Sequence, residues 1–66
     1  MNLGINEVVR LLEDIPSAGI YRGSIGVVVA VFSEPEEAYE VEFCDGDGAS
    51  IAQIALRPAQ FEVMRR

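Results

Sequence analysis

Histidine and tryptophan are missing from this 66-residue chain, cysteine occurs once, and all five basic residues are arginine. Without histidine or lysine, the usual general bases reduce to carboxylates, which titrate too low for the task unless they are buried. A single cysteine excludes an intrachain disulfide, and a lone thiol without histidine cannot build a zinc cluster. Cys44 also has no histidine to activate it, and strand phase sets it near Glu40 and Glu42, where negative neighbours disfavour a thiolate. No catalytic residue, cofactor site or metal site is therefore expected, and the chain does not read as an enzyme. A lone cysteine suits a reducing interior. Met1 to Glu7 carries no basic n-region and no apolar h-region, and the apolar run Val27–Phe32 is too short to span a bilayer. A cytoplasmic location is expected.

What is present is apolar and acidic. Half of the residues are hydrophobic, which argues against disorder, and the length suits one domain with a core over about residues 6–64. A core this small leaves a margin of roughly 3–5 kcal/mol, so a homodimer or a folded partner is the expected support. Eleven acidic residues against five arginines give a net charge of −6. That charge repels phosphate backbones at long range and favours a basic protein partner over nucleic acid.

The run Tyr21-Arg22-Gly23-Ser24-Ile25-Gly26-Val27-Val28 pairs a turn with the start of a strand. Gly23 and Gly26 let the chain turn tightly and then pass close to a neighbouring strand. The strand continues to Phe32, with Ile25, Val27, Val29 and Val31 on one face and Val28 and Phe32 on the other. Upstream, Glu7–Leu12 reads as a strand, with a helix capped by Asn6 as the alternative. Glu13–Gly23 is a long loop in which Pro16 holds Ile15 extended, and Ile15 and Ile20 fold back over one end of the core. Ala38–Cys44 alternates clearly: Tyr39, Val41 and Phe43 point inward and Glu40 and Glu42 outward.

Asp45-Gly46-Asp47-Gly48 predicts a hairpin with a primed turn. The returning strand Ala49–Leu56 keeps Ala52, Ile54 and Leu56 in phase. Ile51 falls out of phase, which marks a bulge or an exposed apolar spot. Arg57–Gln60 forms one helical turn with Pro58 at its first position, and Phe61–Met64 is the last strand, with Phe61 and Val63 inward. Five short strands with one helical turn before the last predict an all-β fold, a small SH3-like five-stranded barrel.

The frame Glu7-Val8-Val9, Asp14-Ile15-Pro16, Gly19–Val28, Tyr39-Glu40-Val41-Glu42-Phe43 and Ile54-Ala55-Leu56-Arg57-Pro58 resembles the domain of unknown function 4926 family, small bacterial proteins usually one domain long. The resemblance covers roughly Asn6 to Val63. It implies an SH3-like barrel and no catalytic residues, and it suggests work beside a neighbouring protein in the manner of an antitoxin or immunity partner. The sequence departs from the family at Cys44–Gly48, where a single acidic-glycine turn is expected and an extra glycine loosens the tip.

Asp45 and Asp47 invite a calcium loop, but its fifth and twelfth positions fall on Ala49 and Leu56, which supply no side-chain oxygen. The partner-facing surface expected from the residues joins Glu34, Glu36, Glu37, Glu40 and Glu42, with Tyr21 and Arg22 second, because like-charge clusters steer association. One alternative is a nucleic-acid-associated barrel in which Arg22, Arg57, Arg65 and Arg66 cluster. Another is a structural subunit that buries Val28, Phe32 and Ile51 in an oligomer. The remaining aromatics, Tyr39, Phe43 and Phe61, are assigned to the core by strand phase.

Overall fold

The computed structural model describes residues 3–64. Five strands, β1 (Val8–Leu11), β2 (Ile25–Phe32), β3 (Ala38–Cys44), β4 (Ser50–Leu56) and β5 (Phe61–Val63), form one antiparallel sheet in the order β4-β3-β2-β1-β5. Two 3₁₀ turns, Pro16–Ala18 and Pro58–Gln60, interrupt the connections. Residues 8–11 are strand and not helix. Asn6 precedes them at φ +79 and its N–H donates to the Val28 carbonyl, so it serves a left-handed turn, which asparagine tolerates, and caps nothing.

The core lies on one face of the sheet. Val9, Leu11, Val28, Val41, Phe43, Leu56 and Phe61 are all but inaccessible to water. Tyr39 of β3 and Phe61 of β5 meet edge to face, with ring centroids 5.7 Å apart. These strands are three positions apart in the sheet, so the sheet curls to bring them together. β4 and β5 are its two edges, and no ladder joins one to the other among the described residues. Leu3 and Ile20 cover the core from outside the strands, and Ile15 and Ala18 pack behind them. The Ile15–Ile20 bridge and Gly19 at φ +73 fold this loop back as expected.

Gly26 explains the close passage of β2 over β3. A Cβ there would lie 2.6 Å from Val41 Cγ1 and 2.9 Å from Phe43 Cε1. Three residues later β2 departs from simple alternation. Val28 pairs with Val41 and Ala30 with Glu40, so Val29 is an extra residue, a bulge. Val28 therefore belongs to this chain's own core, while Phe32, paired with Ala38, moves to the outer face and is 45% exposed. The expectation that Val28 and Phe32 share a face is wrong for this reason, and Val28 is not available to an oligomer. A second bulge occurs where predicted: Phe43 pairs with Ala52 but Cys44 with Ser50, which leaves Ile51 unpaired and half exposed.

The tip between β3 and β4 is not a primed turn. Only Gly48 has positive φ there, the Gly48 N–H donates to the Asp45 carbonyl, and the Asp45 carboxylate accepts from the N–H groups of Asp47 and Ala49. Such side-chain bonds make the wider turn self-supporting.

Candidate partner-binding surface

The outer face of β3 follows from its alternation. With Tyr39, Val41 and Phe43 turned to the core, Glu40 and Glu42 emerge together on the opposite side. Their cross-strand neighbours carry no positive charge. Glu42 lies between Val27 and Gln53, and Glu40 between Ala30 and Ala55. The Gln53 amide donates to Glu40 at 3.3 Å, a neutral contact that leaves the carboxylate charge uncompensated.

The acidic loop leads into the same strand. Glu34 and Glu36 are exposed, and Glu36 pairs with Arg57 at 3.1 Å, with both side chains well into solvent. Glu37 is turned to a structural task. The Tyr39 hydroxyl donates to its carboxylate at 2.5 Å, which holds the Glu37 carboxyl below its ordinary value. The same bond, with burial, pushes the Tyr39 phenol up. A carboxylate that accepts from a phenol stabilises its own charge and keeps the phenol protonated.

Tyr21 and Arg22 stand elsewhere. They precede β2, whereas the acidic loop follows its far end, and eight strand residues separate the two ends by roughly 23 Å. Tyr21 is 54% exposed, and the Arg22 N–H donates to Asp14. Glu40 and Glu42 thus share the outer side of β3, Glu34 and Glu36 lie in the loop that leads into that strand, and Tyr21 and Arg22 lie at the opposite end of β2. Arg22 instead lines an open groove of about 420 Å³ with Arg10, Leu11, Leu12, Gly23 and Glu62. Both Arg10 Nε and Nη2 donate to Glu62 Oε2 across β1 and β5. This cross-strand pair escapes sequence reasoning. Alternation shows that Arg10 and Glu62 both face outward, but nothing in it says that β1 and β5 are neighbours.

Arg10 and Arg57 are each engaged by a carboxylate, and Arg22 lies in the groove. Arg65 and Arg66 lie outside the described residues. No group of three or more potential metal ligands occurs among the described residues, and no helix there is long and apolar enough to cross a membrane.

Comparison with known families matches residues 5–63 to the one described as Domain of unknown function (DUF4926). The chain belongs to the DUF4926 family. The match spans both edge strands, both 3₁₀ turns and the Gly23–Gly26 crossing, so the DUF4926 unit and the curled sheet are the same object. Neither a curated protein nor a solved structure matches the chain.

Proposed function

We propose that this DUF4926 chain is a non-catalytic protein-interaction module of the cytoplasm, an SH3-like barrel in plan, whose acidic outer surface docks a basic protein. The antitoxin or immunity mode of action is the form of this function that the family resemblance suggests. The observation that carries it is the placement of Glu40 and Glu42 on adjacent outward positions of β3 with no cation across from either. Half-buried like charges on one strand face without a counter-charge opposite raise the local potential and accelerate encounter with an oppositely charged surface.

The test begins with affinity capture of the partner from the native host. Association of the purified partner is then measured with the wild type and with Glu40→Lys/Glu42→Lys. These positions are preferred over Glu37, whose replacement would also strip Tyr39 of its acceptor. A slower on-rate for the variant at low salt supports the assignment, and an unchanged on-rate removes it.

A second reading, a subunit of an oligomer, draws on the apolar outer positions Val8, Ile25 and Phe32, which are 37%, 46% and 45% exposed. A melting temperature that rises with protein concentration would favour it.

A further inference from the structure

The two edges of the sheet are managed very differently. β5 is only three residues long, and Glu62 at its centre is tied to Arg10. Short length and charge are the common means of keeping an edge from pairing with another chain. β4 has neither. Its seven residues, Ser-Ile-Ala-Gln-Ile-Ala-Leu, include no charge and no proline. The bulge at Ile51 disrupts only the end near the hairpin tip, and from Ala52 to Leu56 the register against β3 is regular. Among the described residues, no backbone hydrogen bond outside the β3 ladder reaches any residue of 50–56.

The surroundings of this edge state what would fit it. Ala52 and Ile54 are half-buried on the core side and pack against the core from its margin, so an added strand's apolar residues would complete their burial. On the outer side the edge presents Gln53 and Ala55, with Glu42 and Glu40 directly behind them. A strand added to β4 would lie about 10 Å from β3, two strand spacings away. That is within a Debye length at about 0.1 M salt and within reach of long basic side chains. A second copy of this chain fits poorly, because each carries a net charge of −6 and the same two glutamates.

We infer that the free edge of β4 captures an extended segment of the partner as an added strand, apolar on its core side and basic on its outer side. Main-chain hydrogen bonds then supply affinity and Glu40 and Glu42 supply selection for positive charge. This rests on the acidic-surface reading above and names how that surface holds its partner.

Two seven-residue peptides of alternating lysine and valine test it, one unmodified and one N-methylated throughout. Methylation keeps every charge and removes every backbone donor. The expected result is that the unmodified peptide binds at least about tenfold more tightly, since two or more backbone bonds are lost on methylation. Amide exchange within residues 52–56 should slow on binding. Equal binding of both peptides, lost in Glu40→Gln/Glu42→Gln, would overturn edge capture while leaving the acidic surface standing. No binding of either peptide would overturn both. Protection of 52–56 by self-association without peptide would overturn the basic-strand assignment in favour of a second copy.

Discussion

Gly26 sits where β2 presses on β3, and the atoms that an added methyl would strike are the Val41 and Phe43 side chains and the Glu42 carbonyl. Two of these belong to the packed core, so they have little room to yield. Gly26→Ala should cost about 1–3 kcal/mol, the usual penalty of overpacking, read from the denaturant midpoint. Gly48 and Gly46 separate backbone from packing effects. A Cβ at either would meet no atom within 4 Å, yet only Gly48 has positive φ. Gly48→Ala should lose about 1 kcal/mol and Gly46→Ala next to nothing. Equal losses at both would contradict the turn geometry. Tyr39 and Glu37 give a residue-scale pH dependence. The folded-state pKa of Glu37 is lowered from 4.5, so its contribution is present above that value and fades as pH falls through the lowered one. The phenol is raised from 10.0, so its contribution is present below that value and fades as pH climbs through the raised one. The stability difference between wild type and Tyr39→Phe should therefore be constant near neutrality and shrink as pH falls below 4.5 and through the lowered value. A difference that does not change over that range would show that the hydrogen bond does not couple to folding.

At the scale of elements, two aromatic residues take opposite roles, and the bulge at Val29 decides that of Phe32. Phe61 lies 2% exposed against Tyr39, and Phe32 is displaced to the outer face. Phe61→Ala should cost about 3–5 kcal/mol, enough to unfold much of a domain with so small a margin. Phe32→Ala should change stability by less than about 1 kcal/mol in dilute solution, checked by thermal melting. The same bulge explains why β2 is only half legible in the sequence. Every residue from Val27 to Phe32 is apolar, so no polar position marks where alternation changes phase. β3 is fully legible because Glu40 and Glu42 interrupt its apolar residues, and Ile51 reveals its bulge by falling out of phase with Ala52, Ile54 and Leu56. The tip at residues 45–48 departs from the expected primed turn because Asp45 bonds to backbone N–H groups of its own loop. That interaction outweighs the preference of the Asp-Gly pair.

At the scale of the whole molecule, charge is legible as a total but its distribution is not. The acidic strand face follows from period-two alternation alone. The recruitment of Glu37 by Tyr39, the pairing of Glu36 with Arg57, and the separation of Tyr21 and Arg22 from the acidic surface all depend on how the folded chain places its segments. The curl of the sheet, which brings β3 and β5 into contact, is likewise a property of the assembled molecule. After these internal pairings, Glu34 in the loop and the half-buried Glu40 and Glu42 on β3 take part in no ion pair among the described residues. The most direct measurement is the association rate of the captured partner with wild type and Glu40→Lys/Glu42→Lys across a range of ionic strengths. Long-range steering requires the wild-type rate to fall steeply with salt, the variant to be slower by about tenfold or more at low salt, and the two to converge at high salt. Rates that coincide at every ionic strength would mean that the acidic surface has no part in binding.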